Sequence, residues 1–284
     1  YYIEQLLEIN PDNIRALERM SDTYKKNEMY EEQLIMLGLW LDIEPNNKKA
    51  IAEKKAVYGK LGKDENDINR ERWNTDKSNL QYGLDYAQGL IDKDENELAI
   101  NVCKELLAFD ANSPRLLKVI SDAYVNTYEE KKALQYLEKL GNIDSNNVNT
   151  LLEISEVCMN AGEFKKGYNW SNKAIALDKS LGKCYFQRAE LLVALVETNM
   201  GDDIDFCDRL VYDLAWEDYN SSYSNGYLNA KVFRDQLDDF ISTKGDWFLN
   251  AENNSSISPS NPDCLKLKGS ECYSWLERKI NSKR

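Results

Sequence analysis

Apolar residues recur at three- and four-residue steps along most of the chain, and the segments that carry them end at a turn that keeps returning. The turn reads Leu-Glu-Ile-Asn-Pro-Asp-Asn at 7–13 and Leu-Asp-Ile-Glu-Pro-Asn-Asn at 41–47, with weaker copies at 109–113, 143–147 and 177–180. Successive copies are 34, 66, 34 and 34 residues apart, and the longest step is two periods less two residues. Such steps put apolar side chains on one face of a helix. A fixed period of this length is typical of a helix-turn-helix repeat array.

The period divides the chain into repeats, each with a first helix, helix A, and a second helix, helix B. We predict helix A of repeat one at Ile14–Lys26 and helix B at Tyr30–Ile43. Repeat six carries an insertion of 14 residues, because its expected small residue appears only at Ala215. The predicted segments are a truncated repeat at 1–13, repeats at 14–47, 48–79, 80–113, 114–147, 148–181 and 182–225, a capping helix at 226–242, and a loop with an aromatic segment at 243–284. Because the chain opens within a repeat and lacks an initial methionine, we expect the natural protein to begin earlier.

One position of helix A carries a small residue in nearly every repeat. Counted from the start of each repeat, the residues at position 8 of repeats one and three to six are Ser21, Ala87, Ser121, Ser155 and Ala189. A small side chain there lets helix A meet helix B closely. Lys55 breaks this pattern in repeat two. The second half of repeat two is therefore either a decayed helix anchored by Ile68 and Trp73 or a local opening used for a partner.

Small residues at positions 8 and 20, an aromatic residue at position 11 and the turn near position 32 together resemble the tetratricopeptide repeat (TPR). Position 11 carries Tyr24, Tyr58 and Tyr124, and position 20 carries Ala99, Ala133 and Gly167. The resemblance covers residues 1–219. It implies an all-α, right-handed superhelical solenoid of antiparallel helix pairs, with helix A of each repeat on the concave face.

The C-terminal part has a pattern of its own. A helix is expected at Ile204–Tyr219, after a turn with an N-cap at 201–203, and another at Tyr227–Phe240. The aromatic segments 247–249 and 272–276 are expected to pair as strands or to fold back onto the cap. The runs 208–215, 243–248 and 272–275 look like the ending of a group of exported bacterial TPR proteins. That resemblance implies an extracytoplasmic scaffold, periplasmic or outer-membrane-associated, and no known reaction.

Cys264 and Cys272 are the cysteines best placed to form a disulfide bond if the protein is exported, because they lie eight residues apart in a polar loop. In the cytosol both would be free thiols. Cys103, Cys158 and Cys184 are expected to be small core residues.

Composition and charge exclude several functions. The chain of 284 residues has a net charge of −13, which argues against nucleic acid and against an anionic membrane surface as partners. It contains no histidine, so no Ser-His-Asp or Cys-His pair is possible, and no phosphate-binding glycine loop or CxxC motif occurs. The run at 92–96 resembles the start of a calcium loop, but Glu97 and Cys103 stand where glycine and glutamate are required. We expect no enzyme activity, no cofactor, no metal site and no transmembrane segment.

The expected partner-binding site is the concave groove of repeats four to six. A two-carboxylate clamp of the kind found in some TPR domains is rejected, because only Lys118 and Lys183 match it. The strip is expected to expose Leu152, Met159, Phe186 and Val193, with lysines at its margin to hold an acidic or C-terminal group. The candidate partner-binding residues are Lys118, Asp122, Asn149, Leu152, Glu156, Met159, Lys183, Phe186 and Glu190. Alternatively, the insertion of repeat six or the C-terminal loop covers this strip.

These observations predict a non-enzymatic scaffold that binds a peptide or a protein surface through the concave groove. The alternative is a structural subunit of a larger, membrane-associated bacterial envelope assembly that contacts partners by its convex face and C-terminal segment. A third interpretation, an accessory domain of a hydrolase, needs an enzyme outside this sequence. An open groove favours the first interpretation and a filled groove the second.

Overall fold

The computed structural model describes residues 5, 7, 10–45, 47–250, 256–260 and 273–281. Within these residues the chain forms fourteen α-helices and one pair of short strands. The chain divides into two compact units, Tyr1–Phe109 and Asp110–Arg284. The first expected segment, 1–13, is described only in part, and Cys264 and Cys272 lie outside the described residues.

The recurring turn positions the helices by capping them. The helices of the first unit are α1 (Ile14–Lys26), α2 (Tyr30–Ile43), α3 (Lys48–Lys60), α4 (Glu65–Thr75), α5 (Leu80–Ile91) and α6 (Asn96–Leu106). The side chains of Asn13, Asn47 and Asn79 accept hydrogen bonds from the first backbone N–H groups of α1, α3 and α5. These N–H groups have no partner inside the helix, so an asparagine side chain at that point fixes the start of the helix. The bounds of α1 and α2 match those expected from the sequence.

The second unit continues with helix pairs. Its elements are α7 (Pro114–Asn126), α8 (Glu130–Ile143), α9 (Val148–Asn160), α10 (Phe164–Leu177), α11 (Gly182–Asn199), α12 (Phe206–Ser224), α13 (Ala230–Gln236), α14 (Lys244–Asn250), β1 (Ser256–Ile257) and β2 (Ile280–Asn281). The two strands pair antiparallel. Consecutive helices form antiparallel pairs, as the sequence predicts.

Small residues sit where the two helices of a repeat meet. The position 8 side chains of repeats one and three to six are all 0% exposed. Gly167, on α10, lies so close to α9 that an added Cβ would stand 3.0 Å from the carbonyl oxygen of Ser155. In the same seam the hydroxyls of Ser155 and Ser171 are hydrogen-bonded at 2.6 Å. The close approach of the helices therefore depends on side-chain size at these positions, since a packed core has no room for extra atoms.

The C-terminal elements differ from expectation. The N-cap of α12 is Asp205, not a residue of 201–203, because Asp205 and Asp208 form a reciprocal capping box. The helix expected at Tyr227–Phe240 is only the seven residues of α13. The segment 247–249 is part of helix α14 and not a strand. The backbone N–H of Thr243 donates to Asp246 at 2.7 Å, which caps the start of this helix.

The last described segment folds back onto α12. Tyr273 is buried, and its hydroxyl donates to Asp208 at 2.5 Å. Asp218, whose side chain is 1% exposed, binds Arg188 at 2.7 Å and Arg278 at 2.6 Å. Two arginines from distant parts of the chain thus share one buried carboxylate. The aromatic tail is expected to pair as a strand or to fold back onto the capping helix, whereas Tyr273 contacts α12.

The cysteines fall into two groups. Cys103, Cys158 and Cys184, which we call the three free thiols, are buried. Cys207 is disulfide-bonded.

Candidate functional site: a cleft in repeat two

The two helices of repeat two do not close on each other. In repeats one and three to six, helices A and B of each repeat pack together. In repeat two, α3 packs against α2 and α4 packs against α5, but α3 and α4 scarcely touch within the described part of the chain. The cause is Lys55, which is exposed at the position where the other repeats bury serine or alanine. A lysine side chain is almost never fully buried, so it keeps the seam open.

The open seam forms a cleft of about 570 Å³ that α2, α3, α4 and Tyr82 of α5 enclose. This volume lies within the range of about 300–1,000 Å³ that is typical of ligand sites. Leu41, Ile51 and Ile68 supply apolar walls. Gly38 of α2 also lies in the wall, and a Cβ added there would meet no atom within 4 Å. The cleft therefore has free space beside a residue without a side chain.

A hydrogen bond between Tyr58 of α3 and Glu71 of α4 links the two helices across the cleft. The Tyr58 hydroxyl donates to Glu71 at 2.7 Å, and the Lys63 ammonium binds the other oxygen of Glu71 at 3.1 Å. Burial raises the pKa of Tyr58, and the hydrogen bond to Glu71 raises it further. Burial alone would raise the pKa of Glu71, but the hydrogen bonds from Tyr58 and Lys63 outweigh it and hold that pKa below its ordinary value. At neutral pH Glu71 is therefore ionised, and both of its carboxylate oxygens already accept hydrogen bonds.

Two cations of the cleft lack such partners. Burial and, after it, the positive charge of Arg72 lower the pKa of Lys54, and the negative charges of Glu71 and Asp42 offset part of this shift. The Arg72 guanidinium lies over the ring of Tyr82, 4.2 Å from its centroid. Among the described residues, neither Lys54 nor Arg72 has a carboxylate within ion-pair distance. The lining includes three basic residues and two acidic ones, a net charge of 3 − 2 = +1, in a chain whose net charge is −13.

The residues predicted at the groove margin are engaged with each other. The Lys118 ammonium binds Asp122 at 2.5 Å and Glu153 at 2.8 Å. Burial alone would lower the pKa of Lys118, but these two hydrogen bonds outweigh it and raise the pKa. A ligand carboxylate would have to compete with two carboxylates already in place.

The expected apolar strip is not exposed as predicted. Leu152 is 3% exposed, because it is part of the packed core of its unit, so the expectation that it lies open is wrong. Met159 is half-buried and packs against the core around α11 and α12. Asn149, Glu156 and Lys183 are exposed, as a partner-binding role would require.

Phe186 is covered by aromatic rings from α12 and the segment that follows it. Its ring centroid lies 4.8 Å from that of Tyr227, 5.1 Å from that of Phe233 and 5.5 Å from that of Tyr219. Glu190, one turn further along α11, accepts the hydroxyl hydrogen bond of Tyr219. The rings on Phe186 come from α12 and from the segment predicted as the capping helix, whereas the alternative named the insertion of repeat six or the C-terminal loop as the cover. The assignment of the nine predicted residues to partner binding stays a prediction.

Sequence reasoning did not single out Lys54 and Arg72. Both lie on helix faces whose charged residues look like ordinary solvated surface. The available signal was Lys55, the one large residue at position 8, together with the weak helix B that follows it. These two features mark the opening in repeat two, and Lys54 and Arg72 both line the cleft that it forms.

No protein-family model matches the sequence, and no match is found among curated proteins. Solved structures do resemble the chain. A crystal structure of MamA is 16% identical, with a TM-score of 0.50 over 64% of this chain and 97% of that one. The C-terminal part of a TPR repeat-containing protein from Cytophaga hutchinsonii is 17% identical, with a TM-score of 0.50 over 82% of this chain and 89% of that one. The chain thus has the TPR fold, which confirms the sequence prediction.

Within the described ranges, none of the helices is both long and apolar enough to cross a membrane. The same ranges hold no cluster of three or more acidic or cysteine side chains arranged to bind a metal ion.

Proposed function

We propose that the protein is a non-enzymatic interaction scaffold that binds a segment of a partner protein in the cleft of repeat two. The observation that carries this proposal is the open seam between α3 and α4, about 570 Å³ in volume, where the other repeats are closed. The lining combines apolar side chains with charged and polar groups, and concave openings of this volume are the usual form of a ligand site. The TPR fold supports the proposal because repeat arrays present extended binding surfaces.

The polar groups of the cleft favour binding over catalysis. Tyr58, whose pKa is raised, is a poor nucleophile at neutral pH, and its proton is already shared with Glu71. The sequence offers no histidine to serve as a general base. What remains are charges and apolar surface that hold a ligand.

The test fills the cleft without disturbing the helices. Gly38→Phe places a ring in the cleft, and replacing glycine inside a helix is otherwise neutral or stabilising. Gly59→Phe is the matched control, because Gly59 lies on α3 outside the cleft and a Cβ there also meets no atom within 4 Å. Peptides are selected from an unbiased display library on the wild-type protein, and their affinities for both variants are measured by fluorescence anisotropy.

We expect the selected peptides to lose at least tenfold in affinity for Gly38→Phe and to bind Gly59→Phe as they bind the wild type, which is about 1.4 kcal/mol of difference. Both variants should melt at or above the wild-type midpoint. A selection that enriches no peptide, or peptides that bind Gly38→Phe unchanged, would refute the proposal.

A structural subunit of an envelope assembly is the second candidate, and the covered Phe186 together with exposed apolar residues favours it. Leu228, Phe248 and Leu249 are 69%, 67% and 79% exposed. Replacing Phe248 and Leu249 by serine should release the protein from a large complex in native extracts, whereas Gly38→Phe should not. A monomer-sized native particle would contradict this candidate. The extracytoplasmic location also stays a proposal, which fractionation of cells that express the full protein tests.

A further inference from the structure

The charge of the cleft is opposite to that of the chain around it. Lys54 and Arg72 line the same opening, and like charges placed close together repel one another. The carboxylate beside them, Glu71, is already occupied by Tyr58 and Lys63. Asp42 and Glu71 offset part of the repulsion between Lys54 and Arg72, but the three basic residues of the lining outnumber the two acidic ones.

The positive charge of Lys54 is the more costly of the two, because Lys54 is the more buried residue. It is half-buried, so water stabilises its ammonium less than at the surface, and the charge of Arg72 adds to the cost. An anion placed between them would be stabilised by both charges and would offset the desolvation of Lys54.

Arg72 is held ready for such an anion. Its guanidinium carbon lies over the ring of Tyr82, 4.2 Å from the centroid, and this cation–π contact restricts the side chain before an anion binds. A guanidinium can bind a carboxylate in a bidentate manner through two parallel N–H groups.

We propose that the cleft of repeat two binds an acidic peptide segment, with one side-chain carboxylate between Lys54 and Arg72 and a neighbouring apolar side chain against Leu41, Ile51 and Ile68. This inference rests on the proposed function and names its ligand class. The apolar walls distinguish a peptide from a free inorganic anion, which has nothing to place there. The overall acidity of the chain disfavours nucleic acid, because its phosphates would be repelled by the surface outside the cleft.

The experiment uses a short fluorescein-labelled peptide in which glutamate alternates with leucine, and its counterpart with glutamine in place of glutamate. Binding to the whole chain is measured by anisotropy at low and at moderate salt. The variants are Lys54→Gln and Arg72→Gln, with Lys60→Gln as the matched control. Lys60 lies on α3 as Lys54 does, but it is exposed and outside the cleft. Glutamine has a helix propensity close to that of lysine and arginine, so all three variants should fold, and thermal melts check this.

We expect the glutamate peptide to bind the wild type and Lys60→Gln equally and to lose on the order of tenfold in affinity for Lys54→Gln and for Arg72→Gln. The glutamine peptide should bind at least tenfold more weakly, and added salt should weaken only the glutamate peptide.

Three results would overturn the inference. The first is equal affinity for the glutamate and glutamine peptides. The second is an effect of Lys54→Gln no larger than that of Lys60→Gln. The third is competition by inorganic phosphate or by single-stranded DNA that equals competition by unlabelled glutamate peptide, which would make the cleft a general anion site. If the library selection yields neutral peptides that Gly38→Phe rejects, the proposed function stands and this inference fails; if it yields none, the proposed function itself fails.

Discussion

Truncation of Phe186 distinguishes between two interpretations of the groove, one in which the ring is covered and one in which it is open to a partner. The ring is half-buried and touches three other aromatic rings at centroid distances of 4.8 to 5.5 Å. Removing a fully buried phenylalanine costs about 3–5 kcal/mol of stability. Partial exposure lowers this figure, while each lost ring contact adds about 0.5–1.5 kcal/mol beyond the buried area. We therefore expect Phe186→Ala to lower the free energy of unfolding by about 2–4 kcal/mol.

The assay is urea unfolding and thermal melting of the whole chain, followed by circular dichroism. A loss of this size corresponds to a fall of about 4–16 °C in midpoint for a unit of this length. Phe248→Ala is the matched control, since Phe248 is 67% exposed and its truncation should change stability by less than about 0.5 kcal/mol. If Phe186→Ala costs no more than Phe248→Ala, the rings do not pack as described and the open-groove prediction returns. Phe186→Leu, which keeps most of the volume, should lose less than about 1.5 kcal/mol.

Three other predictions concern charges and thiols. Asp218→Asn should lower the free energy of unfolding by about 3–5 kcal/mol, because Arg188 and Arg278 lose their shared buried partner, and unchanged urea unfolding would contradict this. The pKa of Glu71 lies below its ordinary 4.5, so its contribution to stability is complete above that value and is lost as the pH falls through the lowered folded-state pKa. Glu71→Gln, which keeps a weaker acceptor for Tyr58, should remove that part of the acid sensitivity, and parallel stability curves in a urea series from neutral to acidic pH would refute the assignment. The three free thiols should resist alkylation in the native protein at neutral pH, because burial raises their pKa to about 12, 12 and 11, and Cys207 should react only after reduction; mass spectrometry reads both.

The candidate site was partly visible in the sequence. Lys55 stands where every other counted repeat has serine or alanine, and an opening at repeat two was one of the two interpretations that followed. The identity of the groups that face the opening was not visible. Whether Lys54 and Arg72 meet depends on how far α4 moves from α3, and that distance is set by packing against α2 and α5.

The groove of repeats four to six shows the opposite case. The pattern correctly assigned Phe186 to helix A, but it did not decide what would cover the ring. The cover of the Phe186 ring depends on the path of the segment after α12, because this segment places Tyr227 and Phe233 against Phe186. Local spacing carries no information about such a contact, because the residues lie about forty positions apart in the chain.

The sequence by itself determined the repeat architecture, the helix bounds of repeat one and the point at which the architecture fails. Those properties follow from short-range effects: apolar spacing along a helix, asparagine caps at the turns, and side-chain size at a seam. The tertiary structure alone decided which surfaces stay open. Four features arise only where distant segments of the chain pack together. They are the burial of Leu152, the covering of Phe186, the carboxylate that Arg188 and Arg278 share, and the placement of Lys54 and Arg72 around one cleft.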